Sequence, residues 1–391
     1  MNDGSLLFSP LQLRDVCLKN RVVISPMAQY CADRGKATDW HLAHLAAFAT
    51  GGAGLVFVES TKVEARGMGS YGDLCLWTKE HALAMARDAR GIRKLGAIAG
   101  LHLNHSGRKA RSQRPWEGFG PLPDTEPDLW PVIAPSAVRH DKDWALPHAM
   151  TAEDIREVIA AWAASTRLAA ECGFEVLEIH GGHGFLLHQF LSPVANQRTD
   201  AYGGSFQNRM RFVLELTAAV RAAWPAGLPL FFRVSATDDM GWTLEDSVVL
   251  ARELARLGVD VVDCSSGGMS SRSPTASQVF RGLGYQVPYA ERVKREAGVR
   301  SMAVGLIVEA RQAETILRES RADLIAIGRE ALYDPYWALH AARALGVDPE
   351  FALWPKQYGW WLDRRHKAGW VEAAKSENAV PQAARPSLVS Q

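Results

Sequence analysis

The sequence predicts a (β/α)8 TIM barrel, and three observations carry that expectation. Short β-branched or apolar runs alternate with longer segments of helical period. The alternation occurs eight times. A chain of 391 residues, 47% of them hydrophobic, can fill one large core or two ordinary ones. The strands are expected at RVVISP from Arg21, GLVFVES from Gly54, AIAGLHL from Ala97, EVLEIH from Glu175, PLFFRVS from Pro229, VDVVDCSS from Val259, RSMAVG from Arg300 and DLIAIG from Asp323. Helices are expected between them at about 38–50, 79–95, 151–172, 205–223, 243–257, 286–296, 308–317 and 335–345.

Two stretches exceed what a barrel needs. The first is an insertion of about 105–150 after the third strand, rich in Pro, Trp and charge. A connection of that length reads as a lid or rim over a site. The barrel is expected to occupy 1–346 and a C-terminal tail 347–391. The tail begins with FALWPKQYGWWLDRRHKAGW, whose four tryptophans need a cover, either the barrel's own outside or a neighbouring subunit. It ends in the polar KSENAVPQAARPSLVSQ, expected to be disordered.

Charge is balanced, with 44 Lys and Arg against 43 Asp and Glu and no long single-sign block. This argues against nucleic acid or an anionic membrane as partner and favours a small molecule. The five cysteines, Cys17, Cys31, Cys75, Cys172 and Cys264, are scattered without paired spacing, which suggests reduced thiols and a cytoplasmic location. The start, MNDGSLLFSP, has no signal-peptide pattern, and no apolar run approaches the roughly 20 residues that span a bilayer. A soluble, unprocessed chain is expected.

In this fold the reactive groups sit at the carboxyl ends of the strands. ISPMAQY ends the first, Ser60 the second and His102 the third. His180 and His183 follow the fourth, and Arg233 lies near the end of the fifth. The last two strands close with AVGLI and AIGRE. Gly305 and Gly328 there allow backbone N–H groups to approach a phosphate, and Arg329 adds a charged donor.

The segments NRVVISPMAQY, GLHLNHSGRKA, EIHGGHGFLLHQFLSPVANQRTDAYGGSFQNRMRF and ADLIAIGREALYDPYW resemble the flavin-dependent old yellow enzyme family, in particular its bacterial YqjM-like and xenobiotic-reductase branch. The likeness runs from Leu6 to Gly346. It implies FMN at the carboxyl end of the barrel, reduced by NADPH or NADH, with hydride passed to the β carbon of an alkene conjugated to a carbonyl. It sets Ser25, Pro26, Met27 and Ala28 against the isoalloxazine, Ser60 and His102 near its pyrimidine edge, Arg233 on the N1 and O2 side, and Gly305, Gly328 and Arg329 on the phosphate. A guanidinium facing N1 and O2 stabilises the negative charge of reduced flavin. His180 and His183 would bind the substrate carbonyl oxygen as two N–H donors, opposing the charge that develops there. Tyr30 and Phe185 would face the substrate. Trp361 aligns loosely with a tail tryptophan that lines a neighbouring subunit's pocket in xenobiotic-reductase relatives, which implies a homodimer or homotetramer.

Three positions depart from the family pattern. Phe185 stands where a tyrosine usually protonates the α carbon, and a phenyl ring donates no proton. Tyr30 and Cys31 are the candidate substitutes. Ala28 stands where this branch usually has a cysteine against the flavin, and His102 replaces a glutamine. These changes favour either ene-reduction with another proton source or a shifted flavin chemistry, such as desaturation, nitro reduction or reduction of an aromatic or acyl-thioester substrate. Arg108 and Lys109 are candidates for steering a phosphate or carboxylate.

Three other readings compete. A zinc pair at His180 and His183 needs a third ligand, for which only His188 is nearby in sequence, and no metal is expected. A flavin-free sugar-phosphate barrel enzyme needs a strand-end base, for which Glu59 is the candidate. The third is a flavin-binding module that no longer turns over.

Overall fold

The computed structural model describes residues 4–238, 240–270, 281–369 and 375. Eight parallel strands form a closed barrel: β1 (Val22–Ile24), β2 (Leu55–Lys62), β3 (Ile98–Asn104), β4 (Val176–Gly181), β5 (Leu230–Ser235), β6 (Val261–Ser265), β7 (Arg300–Ala303) and β8 (Leu324–Ile327). Closure is direct. β8 pairs with β1 at Ile325–Val22, and β1 with β2 at Val23–Leu55. Each strand overlaps the run that the sequence marks for it; β2, β3 and β4 continue one or two residues beyond its end. The outer helices are α1 (Asp39–Thr50), α2 (Lys79–Lys94), α3 (Ala152–Glu171), α4 (Phe206–Ala223), α5 (Leu244–Arg256), α6 (Val287–Ala297), α7 (Ala310–Arg318) and α8 (Trp337–Ala344). Several start where a side-chain oxygen takes an otherwise unpaired backbone N–H. Thr151 and Thr243 do so within capping boxes completed by Asp154 and Asp246.

Strand alternation sorts the core into two compartments. On β5, Leu230, Phe232 and Val234 face the helices, while Phe231 and Arg233 face inward. On β4 the inward set is Val176, Glu178 and His180. The lower barrel interior is apolar, built from Val23, Leu55, Phe57, Val176, Phe231, Val261, Met302 and Leu324. Leu13, Val16 and Leu18 join this cluster from the antiparallel hairpin Leu11–Leu13/Val16–Leu18, which plugs the amino-terminal end. Polar chemistry is therefore confined to the other end.

The insertion is ordered. Ile133–Ala134 pairs with His148–Ala149, and Ala110, Trp130 and Val132 form a small apolar cluster of their own. The tail divides in its packing. Trp354 stacks on Tyr336 with ring centroids 5.6 Å apart, whereas Trp360 and Trp361 on helix α9 (Lys356–Lys367) are 51% and 66% exposed. Trp370 lies outside the described residues, as does the terminal polar segment apart from Lys375. All five cysteines are free thiols. Among the described residues no helix is long and apolar enough to cross a membrane.

The loop after β4 is held in place from behind. Helix α4 packs Phe212 on Phe190 of the short helix Leu186–Leu191, with ring centroids 4.1 Å apart and both side chains fully buried. Phe212→Ala should destabilise the protein by roughly 3–5 kcal/mol through the cavity it leaves. Urea unfolding would register this as a lowered midpoint with an unchanged slope.

Candidate active site

The strand ends converge on a cavity of about 280 Å³. The segment after β1 contributes Pro26, Ala28 and Tyr30, β2 contributes Ser60 and Lys62, and β3 contributes His102. His180 ends β4, His183 and Phe185 follow it, and Arg233 comes from β5. Phe119, His140 and Trp144 of the insertion line one side. A second cleft of about 200 Å³ is lined by Gly305, Gly328 and Arg329 after β7 and β8. Ser25 and Met27 line neither of these two, but they lie beside Gly328: a Cβ built there would sit 3.9 Å from Ser25 Cβ and 4.0 Å from Met27 Sδ, ordinary van der Waals contact. Gly305 has φ +111°, and a Cβ there would come within 2.7 Å of Gln286 Nε2. Only glycine fits that turn without displacement.

Below the cavity lies a charged layer. Arg233 Nη1 is 2.8 Å from Asp263 Oδ2 and donates to Ser25 Oγ at 3.4 Å. His102 Nδ1 is 2.6 Å from Glu178 Oε2. Burial raises both carboxyl groups to about 7, against the opposing pull of Arg233. Burial also holds His102 well below the ordinary imidazole range, with Arg233 and Lys62 adding to the effect. Since Nδ1 is committed to Glu178, Nε2 is the nitrogen left for a ligand. An imidazole facing a carboxylate donates there and accepts at its far nitrogen; facing a carboxylic acid, it does the reverse.

His180 Nε2 and His183 Nδ1 are 2.8 Å apart, and His183 Nε2 is 2.7 Å from Ser265 Oγ. Desolvation depresses both imidazoles well below their ordinary range, so at neutral pH each carries one ring N–H. Two donors aimed at a common third atom are expected from the sequence. The structure instead closes the pair on itself, so an oxygen held by both rings would have to replace that bond. Local backbone makes this approach possible. His183 adopts φ +55° and Gly184 φ +71°, and a Cβ on Gly184 would meet Gly268 O at 2.2 Å. Phe185 packs its ring against His180 at 4.9 Å and brings no hydroxyl to the cavity.

The competing readings lose their residues. His188 Nδ1 accepts from Gly184 N at 2.9 Å and its Nε2 faces Asp238 Oδ2 at 3.3 Å, away from the other two imidazoles' contact. Among the described residues no group of three His, Cys, Asp or Glu side chains is disposed to hold a metal ion. Glu59 turns out of the barrel toward α1, accepting from Gln29 N and lying 3.6 Å from His41 Nε2, so it supplies no base to the cavity. Cys31 is bonded to Gln29 O and does not line the cavity. Tyr30 does line it, but burial, with Asp73 and Glu59 nearby, pushes its phenol up to about 12. Arg108 is spent on the carbonyls of Arg139 and Met269, whereas Lys109 lines the cavity, donates to His183 O and Gly268 O, and is lowered by burial to about 7. Trp361 does not line the cavity of its own chain.

Residues 6–347 match the model of the NADH:flavin oxidoreductase / NADH oxidase family. The chain belongs to that family. An NADPH dehydrogenase of Listeria innocua is 44% identical over 358 residues, covering 90% of this chain and 98% of its own, and one of Geobacillus sp. is 43% identical over 347 residues, covering 88% and 95%. The solved structure of morphinone reductase superposes with a TM-score of 0.73 at 22% identity, covering 87% of this chain and 90% of that one. An old yellow enzyme homologue from Zymomonas mobilis gives 0.71 at 21% identity, covering 86% and 92%. At such identities the structural matches establish the fold alone.

The family's cofactor is FMN, and the residues present fit it. One cavity is lined by Arg233 and a second cleft by Gly305, Gly328 and Arg329, a division that suits a ring system in the first and a phosphate in the second. Glu178, Asp263, Ser265, Lys62 and Asp73 are functional-site residues that strand-end reasoning passed over. Glu178 and Asp263 occupy the strand position two before a group that reaches the site, His180 in one case and Ser265 in the other, and that period-2 relation was the available signal.

Because the folded-state value of Glu178 is raised, its contribution to stability is fully present below the unfolded carboxyl pKa of about 4.3 and is lost as pH rises through about 7. Glu178→Gln removes this loss. The variant should gain stability relative to the wild type between pH 5 and pH 8, as read from urea midpoints at the two values.

Proposed function

We propose that this chain is an FMN-dependent, NADPH-oxidising reductase of alkenes conjugated to a carbonyl. The observation that carries the reading is the pair of neutral imidazoles facing one another in the cavity that Arg233 also lines. NADPH rather than NADH as reductant is supported by the names of the relatives at 43–44% identity. When bound, FMN supplies the two-electron, hydride-transferring chemistry. Ser25, Pro26, Met27, Ala28, Ser60, His102 and Arg233 would hold its ring, and Gly305, Gly328 and Arg329 its phosphate. His180 and His183 hold the substrate carbonyl, and their N–H groups oppose charge gathering on oxygen as the β carbon receives hydride. Tyr30 and Phe185 form walls of the substrate space. The insertion's aromatic residues exclude water from it.

Purified protein should be yellow, bleach with NADPH under anaerobic conditions, and regain colour with an enone. A panel including nitro compounds and acyl thioesters shows which acceptor is fastest. His180→Asn should lower kcat/KM for the enone by about 10²–10³-fold while FMN content is retained. An undiminished value would sink the assignment of the imidazole pair.

We also infer that the exposed Trp361 is covered by a second copy of the chain and lines that copy's substrate space, making a homodimer or homotetramer. Trp361→Ala should then shift KM for the acceptor, and sedimentation should show an oligomer in the wild type. Full activity from a chain ending at residue 350 would count against it.

A further inference from the structure

Saturating a carbonyl-conjugated alkene requires a proton at the α carbon as well as hydride at the β carbon, and Phe185 provides none. We propose that Lys62 is the proton donor; this rests on the reductase reading above. Lys62 ends β2 and lines the cavity, although its side chain is only 4% exposed. Its Nζ stands 5.3 Å from the centroid of the Phe185 ring. A buried ammonium needs a partner. Asp73 is that partner at 3.5 Å, itself fixed by Gly69 N at 2.7 Å, Ser70 N at 3.2 Å and Ser70 Oγ at 3.0 Å. A second Nζ proton goes to Ser60 Oγ at 3.0 Å, which also accepts from Asn104 Nδ2 at 2.9 Å. One of the three ammonium protons is left for the cavity.

The chemistry matches. An alkylammonium and a phenol have reference pKa values near 10.4 and 10, so the former is as competent an acid toward an enolate as the latter. Of the cavity's other acids, Tyr30 is raised to about 12. Lys109 also keeps a third proton beyond those given to His183 O and Gly268 O, but its bonds go to carbonyls rather than to a carboxylate, burial lowers it to about 7, and it is partly deprotonated at neutral pH. FMN, when bound and reduced by NADPH, would supply the hydride that forms the β C–H bond, and the alkene's π pair would become an enolate held at oxygen by His180 and His183. The Nζ–H bond of Lys62 then breaks and its proton forms the α C–H bond. The resulting amine takes a proton back from water at the cavity mouth.

The test uses FMN-loaded Lys62→Arg, which keeps the charge and the pairing with Asp73 but cannot release a proton, and Lys62→Gln, which keeps neither. Stopped-flow rates are measured for reduction by NADPH and for reoxidation by an enone, and the product formed in deuterium oxide is analysed for which α face carries the label. Both variants should lose about 10²-fold or more in reoxidation relative to reduction. The α label should spread over both faces, and adding Phe185→Tyr should recover rate and facial selectivity. Wild-type-like reoxidation and labelling by Lys62→Arg would overturn the proposal, as would the same loss appearing in Lys109→Met instead. A wild-type enzyme that no enone reoxidises would fail earlier, at the reductase reading itself.

Discussion

Parallel strand register is the constraint on which the site depends. Pairing of Arg233 with Asp263 on one side and His180 on the other, and of His102 with Glu178, brings side chains from four strands to neighbouring heights inside one closed cylinder. A one-residue slip of any of these strands would turn its inward set toward the helices. The same register builds the interior in tiers. Phe231 pairs with Glu178 and Val261, Arg233 above them with His180 and Asp263, and Ser235 with Ser265 at the mouth. Burying two carboxyl groups and a guanidinium is tolerable because the tier beneath is sealed by the N-terminal hairpin and the tier above is where a polar ligand binds.

This tiering also explains the electrostatics. Desolvation pushes Glu178 and Asp263 up and His102, His180 and His183 down, so these groups shed charge and the cavity's positive charge comes from Arg233 and the lysines that line it. A cavity arranged this way suits a ring system that gains negative charge on reduction. The imidazoles can act as neutral hydrogen-bond donors, which do not compete with the guanidinium for that charge.

Much of this was legible in the sequence because barrel topology converts a one-dimensional pattern into a position. Once eight alternations are counted, every strand end maps to the mouth, and Ser60, His102, His180, His183 and Arg233 follow. What stayed hidden depends on contacts between segments distant in the chain. Lys62 looks like the solvated end of a strand until Asp73, eleven residues later, folds back over it. The closure of His180 on His183 depends on left-handed backbone at His183 and on Gly184 packing against Gly268, which no local pattern announces. Glu59 and Ser60 are adjacent, and only the local irregularity in the β2–β3 register, between Val58 and Ser60, explains why the hydroxyl enters the cavity while the carboxylate turns to α1.

The departures at Phe185 and Lys62 are best understood together. Phenyl in place of phenol removes a hydrogen-bonding group from the wall, and the space above the ring is bounded by two ammonium groups, Lys62 at 5.3 Å and Lys109 at 5.4 Å. A tyrosine hydroxyl would compete for the same donors and acceptors, whereas the face of a phenyl ring attracts a cation without taking a proton from it. Phe185 therefore leaves an ammonium free to point into the cavity. The loss of the hydroxyl and the burial of a lysine are then one change in the chemistry of the site, with the acid moved from one wall to its neighbour.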